Sequence, residues 1–256
     1  MIKKRLVGVV TVKDGWAVQS FGYNRYLPLG HPEILVENLD RWGADEILLQ
    51  CIDRTRLGLG PDFALLERIG RRGLSTPLIY SGGVRHAADA VAAVATAADR
   101  VAVDALIRDN PDEVAKAGAK LGNQALVGAL PLSLDNGEAR WLDYRTGESE
   151  PLGHALMGML TGGVLSEALV IDWRHEGSPG AFDPALLDVL PDGVPVIAFG
   201  GLSEAPQLAA ALRSPHVVAA AVGNFLSYRE HAIQAYKAEL FGVPLRPAAY
   251  SQTAFA

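Results

Sequence analysis

STPLIYSGG at residues 75–83 recurs as GVPVIAFGG at residues 193–201. The second copy follows the first by 118 residues, close to half of the 256-residue chain. Each copy is a short apolar run that ends in two glycines, leads into an alanine-rich segment and is followed by another apolar run. A buried strand that turns into a helix gives this order, so the repeat predicts two similar halves built from strand–helix units.

Apolar runs of this kind continue along the chain, with helix-like segments between them. Because they are nearly continuous rather than alternating, they indicate strands buried on both faces, as in a parallel sheet covered by helices. The predicted strands are Leu6–Val12, Glu46–Cys51, Pro77–Tyr80, Arg100–Val103, Ala125–Leu130, Ala168–Asp172, Pro195–Ala198 and Val217–Val222. The predicted helices are Pro32–Trp42, Asp62–Arg72, Ala87–Ala97, Pro111–Leu121, Leu152–Thr161, Pro184–Leu190, Ala205–Leu212 and Tyr228–Glu239.

Eight strand–helix pairs in a chain of this length predict a single-domain α/β fold over residues 1–256. We expect a closed (β/α)8 TIM barrel with two similar half-barrels. An open doubly wound sheet is the alternative. It is disfavoured because the first strand lacks the G-x-G-x-x-G turn of dinucleotide-binding folds.

Composition narrows the function classes. The chain is 49% hydrophobic and 20% charged, as expected for a soluble globular protein, and its net charge of −6 argues against broad nucleic-acid binding. It has a single cysteine, which excludes an internal disulfide and a multi-cysteine zinc site and is compatible with a reducing cytoplasm. We predict a soluble cytoplasmic protein. We predict no cofactor, no metal site, no signal peptide and no membrane-spanning segment.

The two glycine pairs are candidate anion sites. Glycine lets the backbone turn sharply, and its amides together with the next helix N-terminus can approach a phosphate. Barrel phosphate sites typically lie at the C-terminal face, so Gly82, Gly83, Gly200 and Gly201 predict a site for two phosphates there. A third candidate turn, Gly223-Asn224, follows the last strand. The alternative is that glycine simply permits tight turns.

Polar side chains follow several of the predicted strands, where barrel enzymes carry catalytic groups. The carboxylates in these positions are Asp53, Asp104, Asp172 and Glu176. Asp172 and Glu176 are the strongest acid/base candidates because their polar loop directly follows an apolar strand. A structural cap is the alternative for each of them. His175 and Cys51 are weaker candidates, since a cysteine on an apolar strand is usually a small core residue.

Charged residues also stand where predicted strands begin. Arg5, Glu46 and Arg100 are in this position, at the opposite end of the barrel from the glycine turns. Such residues form a structural ring of salt bridges or line a narrow polar entrance. The residues alone leave both readings open.

Taken together, these residues resemble the cyclase subunit family of imidazole glycerol phosphate synthase, a histidine-pathway barrel. The resemblance extends over nearly the whole chain, and the position of Gly43-Ala44-Asp45-Glu46 favours the cyclase over the sister isomerase. The matching segments are Lys4-Arg5-Leu6, Val12-Lys13-Asp14-Gly15, Gly43-Ala44-Asp45-Glu46, Ser81-Gly82-Gly83-Val84-Arg85, Ala98-Asp99-Arg100-Val101, Asn110-Pro111, Glu176-Gly177, Ala198-Phe199-Gly200-Gly201 and Tyr228-Arg229-Glu230.

The resemblance implies a partner and a reaction. The family receives ammonia from a glutaminase docked on the N-terminal barrel face and performs a lyase/cyclisation of a bisphosphorylated ribonucleotide at the C-terminal face. It places Gly82, Gly83, Gly200, Gly201, Gly223 and Asn224 on phosphate loops. It places Arg5, Gln19, Glu46 and Arg100 at the ammonia gate, with Asp99 facing the glutaminase.

Two departures from the family pattern bear on the reaction. The family's catalytic aspartates correspond here to Thr11 and Pro131, neither of which can transfer a proton as a carboxylate does. If cyclisation takes place, Asp172 and Glu176 are the expected replacements. The segment Gly15–Phe21 is more similar to divergent copies of this barrel in surface-polysaccharide gene sets, which are thought to help supply ammonia for amidinating a sugar.

Three functions therefore stay open. The first is a cyclase-like subunit working with a glutaminase. The second is a non-cyclising barrel that conducts ammonia to a sugar amidotransferase. The third is a scaffold barrel with a vestigial phosphate site.

Overall fold

The computed structural model describes residues 3–228, 230–240 and 242–247. The strands are β1 Arg5–Lys13, β2 Trp16–Phe21, β3 Arg25–Gly30, β4 Glu46–Cys51, β5 Leu78–Ser81, β6 Arg100–Val103, β7 Leu126–Asp135, β8 Glu138–Asp143, β9 Glu148–Pro151, β10 Glu167–Asp172, β11 Val196–Phe199 and β12 Val217–Val222. The α-helices are α1 Pro32–Arg41, α2 Phe63–Gly70, α3 Ala87–Thr96, α4 Ala105–Asp109, α5 Pro111–Leu121, α6 His154–Thr161, α7 Ala205–Arg213 and α8 Ala232–Glu239.

Eight of these strands close into the predicted barrel. They pair in parallel in the order β1, β4, β5, β6, β7, β10, β11 and β12, and β12 returns to β1. The fold is therefore a (β/α)8 TIM barrel, with all strand C-termini at one rim. Within the described ranges, no helix has the length and apolar character required to cross a lipid bilayer.

Two hairpins on the C-terminal rim were not predicted. β2 and β3 continue β1 as antiparallel strands, and β8 and β9 continue β7 in the same way in the other half. The turns that start them are Asp14-Gly15 and Asn136-Gly137, with positive φ at all four residues. Asp-Gly and Asn-Gly are the dipeptides that hairpin turns of this type prefer. The matched hairpins extend the predicted two-half design.

The side chains of the barrel strands alternate between two buried clusters. Residues such as Val7, Leu48 and Leu169 fill the interior of the barrel, whereas Leu6, Leu49 and Ala168 pack outward against the helices. This alternation fixes which residues at the rim point into the mouth of the barrel.

Three boundary predictions need correction. Pro184–Leu190 was predicted as an α-helix but holds a short 3-10 helix over Pro184–Asp188. The last helix begins at Ala232 rather than Tyr228, after a 3-10 helix at Asn224–Ser227, and Arg229 lies outside the described residues. β7 runs past Pro131 to Asp135 because the strand carries the second hairpin.

Candidate functional site

A closed ring of ion pairs lies at the N-terminal end of the barrel. Its members are the first residues of four barrel strands: Arg5, Glu46, Arg100 and Glu167. Arg5 contacts Glu46 at 3.0 Å and Glu167 at 2.7 Å, and Arg100 contacts the same two carboxylates at 3.1 and 3.0 Å. Two cations and two anions alternate, so the ring is electrically balanced.

The ring is mostly withdrawn from solvent. Burial disfavours the charge of Arg100, but Glu167 and Glu46 outweigh that effect and raise its pKa. The guanidinium also donates to Ser166 Oγ at 2.9 Å and to the Gln124 carbonyl at 3.1 Å. These bonds hold Arg100 across the barrel entrance.

The structure corrects the predicted membership of this ring. Gln19 lies on β2, in the hairpin at the opposite rim, where it pairs with Leu27 of β3. Its place in the ring is taken by Glu167, which sequence analysis missed because the sixth strand was predicted to begin one residue later. A charged first residue, as in the other three strands, was the available signal.

Asp99 lies beside the ring but is exposed, and it forms hydrogen bonds to the start of β5. Its carboxylate accepts the Leu78 amide at 2.8 Å, and its own amide donates to the Leu78 carbonyl at 2.9 Å. A role for Asp99 in partner contact therefore stays a prediction.

Above the ring, the interior of the barrel is apolar. The cluster there contains valine, leucine and isoleucine side chains, and the strands β6, β7 and β12 contribute alanines. The alanines are Ala102, Ala129, Ala219 and Ala221. A neutral small molecule can cross such an interior at far lower cost than an ion, because a charge there has no compensating partner.

At the C-terminal rim, the two positions of the family aspartates face the mouth, as the alternation of β1 and β7 requires. Thr11 is 6% exposed, and Pro131 is buried opposite Ile171 of β10. Thr11 and Gly223 line a side cavity of about 230 Å³ between β1 and α1. Thr11 thus supplies a hydroxyl to the mouth, and Pro131 supplies a pyrrolidine ring.

The first hairpin folds over this mouth and closes it. Tyr23, at its tip, packs against the interior cluster and donates to Gln50 Oε1 at 3.1 Å. Asn224 clamps the hairpin from the last barrel loop, since its side chain accepts from the Ser20 amide at 3.0 Å and donates to the Ser20 carbonyl. Asn224, predicted as a phosphate contact, therefore holds a segment of the chain.

Glu176 is the second anchor of the hairpin. It is 3% exposed and accepts from Ser20 Oγ at 2.9 Å and from the Tyr23 amide at 3.3 Å. Burial raises its pKa to about 7, although these hydrogen bonds oppose the shift. A carboxyl with that pKa suits proton transfer near neutral pH.

Asp172 is not brought together with Glu176 at the mouth. Ile171 points into the barrel, so the neighbouring Asp172 points outward. Its carboxylate accepts the backbone amide of Asp183 at 2.8 Å and pairs with His175 Nδ1 at 2.7 Å. It fixes the loop after β10. This position does not support the prediction of Asp172 as an acid/base group.

The other strand-end candidates also hold loops in place. Asp53 accepts the Asp14 amide at 2.8 Å, and Asp104 accepts the hydroxyl of Tyr144 from the second hairpin. Burial raises the pKa of Cys51 to about 12, so it is a thiol rather than a thiolate nucleophile.

The glycine turns lie on the same rim and repeat one geometry. A Cβ on Gly82 would stand 2.3 Å from the Cys51 carbonyl, and one on Gly200 would stand 2.4 Å from the Asp172 carbonyl. Both residues have positive φ, as do Gly83 and Gly201. Each pair thus packs against the end of the preceding barrel strand.

The turns differ in which amides are free. The Gly83 amide donates to Thr55 Oγ1 at 2.9 Å, and the amides of Arg85 and His86 donate to Asp89. Within the described residues, the amides of Gly201 and Leu202 have no acceptor. The Val84 amide likewise has no acceptor in the described part of the chain, and the Ser203 amide donates to Gln207 Oε1 at 3.2 Å. The two turns therefore differ chiefly at one donor, which is paired at Gly83 and free at Gly201.

Comparison with known families agrees with this architecture. The model of the family described as "Histidine biosynthesis protein" matches residues 5–232, which includes all eight barrel strands and the ring. The chain belongs to this family of histidine-pathway barrels.

Proposed function

We propose that this barrel conducts ammonia from a glutaminase on its N-terminal face to its C-terminal mouth, for use by a second enzyme and without cyclisation. The observation that carries the proposal is the balanced ring of Arg5, Glu46, Arg100 and Glu167 below an apolar interior, combined with Thr11 and Pro131 at the mouth. The charged ring and the apolar interior support a conduit, and the replacement of the family's acid/base pair argues against cyclisation.

The chemistry of the path favours neutral ammonia. An ammonium ion would lose its hydration without gaining a fixed anion inside the interior cluster, whereas ammonia carries no charge to desolvate. The alternating ring offers both donors and acceptors at the entrance, so ammonia can exchange hydrogen bonds there as one ion pair loosens.

A phosphorylated ligand belongs to the proposal at the second glycine turn. Among the described residues, the Gly201 amide is free for an anion, whereas Thr55 takes the corresponding Gly83 amide of the first turn. A ligand with one phosphate fits this asymmetry better than the bisphosphate expected from sequence.

The cyclase reaction is the second candidate, and Glu176 favours it. This carboxyl lies at the mouth with a pKa of about 7 and could transfer a proton once the first hairpin moves away. The loss of a positioned acid or base typically costs 10²–10⁴-fold in rate, so one carboxyl in place of two predicts at most weak turnover.

One experiment separates the two candidates. The purified chain is supplied with ammonium and the bisphosphorylated ribonucleotide of the family, and, in a parallel reaction, with a glutaminase of the same organism and glutamine. The conduit predicts no imidazole product and an increase of about tenfold or more in glutamine hydrolysis. Imidazole product that disappears in Glu176→Gln would instead establish the cyclase.

A further inference from the structure

Two buried polar atoms at the mouth of the barrel have no hydrogen-bond partner among the described residues. They are Ser133 Oγ and Trp173 Nε1. Ser133 is 2% exposed and lies on β7, where Val127 and Ala129 point into the barrel, so Ser133 points inward as well. Trp173 follows β10 and packs against the same interior cluster.

The two side chains are neighbours in the sheet. β7 and β10 pair in parallel, and Leu132 lies opposite Asp172. One residue further along each strand, Ser133 lies beside Trp173. The two segments stay close beyond their last paired residues, since Arg174 donates to the Leu134 carbonyl at 3.3 Å and forms an ion pair with Asp135 at 2.7 Å. Two inward polar atoms thus share one side of the mouth.

An unpartnered buried donor is costly, at about 1–3 kcal/mol for each group. The cost falls when a molecule with a lone pair enters between the two side chains. An indole N–H only donates, and a hydroxyl both donates and accepts. The pair therefore fits a small molecule that has a lone pair and carries a hydrogen of its own.

The surroundings select a neutral occupant. Glu176 and Asp104 are two carboxyls that follow barrel strands at this rim, and burial raises the pKa of both, as expected where charge is poorly solvated. An anion would meet these acidic groups, and an ammonium ion has no lone pair for the indole. Tyr23 packs against the same interior cluster as Trp173, so an occupant shares the mouth with two aromatic side chains.

We infer that Ser133 and Trp173 form a holding site for neutral ammonia at the exit of the barrel. The indole Nε1–H donates to the ammonia lone pair, and Ser133 Oγ accepts one of its hydrogens. The site rests on the proposed conduit and specifies it, because it discriminates ammonia from ammonium where the molecule leaves the apolar interior.

The test follows the Trp173 indole directly by ¹⁵N–¹H NMR of tryptophan-labelled protein. The chain has four tryptophans, so few indole signals are present, and Trp173→Phe identifies the one of interest. Ammonium chloride is titrated at a mildly acidic pH, where nearly all of it is ammonium, and at an alkaline pH, where much is ammonia. Sodium chloride controls for ionic strength.

We expect a saturable shift of the Trp173 signal at alkaline pH alone, with the other indole signals unchanged. Ser133→Ala should raise the midpoint about tenfold, because one of the two hydrogen bonds is lost. Ser81→Ala is the matched control, since Ser81 also points into the mouth but lies on β5. No shift at alkaline pH, which means that water alone occupies the site, or equal shifts at both pH values would overturn the inference.

The titration can fail or succeed separately from the proposed conduit. The titration needs no glutaminase and no acceptor enzyme, so ammonia binding at Trp173 supports the site even if delivery of glutamine nitrogen fails. Delivery without any response of the Trp173 signal would leave the conduit standing and refute this site.

Discussion

Single residues of the two halves perform the same structural task. Gly82 and Gly200 each let the chain pass directly over the carbonyl that ends the preceding barrel strand, and no side chain fits there. The same turns position the amides on which the phosphate proposal depends. Glycine at these positions is thus required by packing, whatever the turns bind.

The glycine requirement can be measured through stability. Gly200→Ala should lower the free energy of unfolding by about 3 kcal/mol, because φ is +103° and the new Cβ would stand 2.4 Å from a backbone oxygen. Gly193→Ala is the control: its φ is also positive, but the new Cβ meets open space, so about 1 kcal/mol is expected. Urea unfolding gives both values, and equal losses would contradict the packing argument.

Glu176 makes stability depend on pH. Its folded pKa, about 7, lies above the ordinary value of 4.5, so the unfolded chain releases this proton first as the pH rises. The contribution of Glu176 to the free energy of unfolding is therefore fully present below about pH 4.5 and is lost between there and about pH 7, with a total of on the order of 1–3 kcal/mol.

Glu176→Gln should remove this dependence. Glutamine can still accept from Ser20 and Tyr23 but does not ionise, so the variant should match the wild type near pH 4.5 and be more stable near pH 8. Urea unfolding at several pH values provides the comparison. An unchanged pH slope in the variant would assign the effect to another group.

At the scale of elements, the barrel strands were predictable and the hairpins were not. Strands buried on both faces are continuous apolar runs, which stand out in a sequence. The strands β2, β3, β8 and β9 mix polar and exposed residues with apolar ones, and β3 even carries Pro28. Only Asp14-Gly15 and Asn136-Gly137 signalled their turns.

The site was predictable only to the extent that strand position determines it. The structure places Arg5, Glu46 and Arg100 at the starts of strands, where an apolar run with a charged first residue indicates them. Glu167 was missed because it precedes the predicted sixth strand, and Gln19 was assigned to the gate from the family resemblance alone. The closure of the mouth by Tyr23 and Asn224 depends on contacts between segments about 200 residues apart, as between Asn224 and Ser20. No local pattern encodes such contacts.

The clamp on the first hairpin is open to direct test. Asn224→Ala removes both hydrogen bonds to the Ser20 backbone, so amides of Trp16–Gly30 should exchange with solvent about tenfold faster. Amides of the second hairpin serve as the internal control, since they are tied to Asp104 instead. Hydrogen-exchange mass spectrometry resolves the two segments, and uniform acceleration across the chain would indicate global destabilisation instead of a clamp.

At the scale of the whole molecule, the two rims have opposite character. The N-terminal rim is closed by ions, the interior is apolar, and the C-terminal rim is closed by a hairpin. A molecule that enters at one rim must therefore pass a polar gate and then a region that excludes charge. Ammonia satisfies both conditions.

The ring should contribute to stability as a unit. Glu167→Gln leaves Arg5 and Arg100 facing a single carboxylate, so the free energy of unfolding should fall by about 1–3 kcal/mol. Gln19→Ala is the control, because Gln19 was expected in the ring but lies on β2 at the opposite rim. This variant should leave the ring's contribution to stability intact. Urea unfolding of both variants at one ionic strength provides the test, because ion pairs withdrawn from solvent are screened only weakly by salt. A Glu167→Gln variant as stable as the wild type, or an equal loss in Gln19→Ala, would be inconsistent with the ring described.

The most direct test of the conduit follows the nitrogen itself. Glutamine labelled with ¹⁵N at its amide is supplied to the chain together with the proposed glutaminase and the proposed amidating enzyme, in an excess of unlabelled ammonium. The label in the amidated product is then measured. Ala221→Leu fills the interior of the barrel, whereas the control Ala220→Leu adds the same side chain on the outer face of the same strand. We expect a labelled product with the wild type and with Ala220→Leu, and loss of the label with Ala221→Leu. A product labelled no more than the bulk ammonium, or equal labelling with both variants, would contradict passage through the barrel.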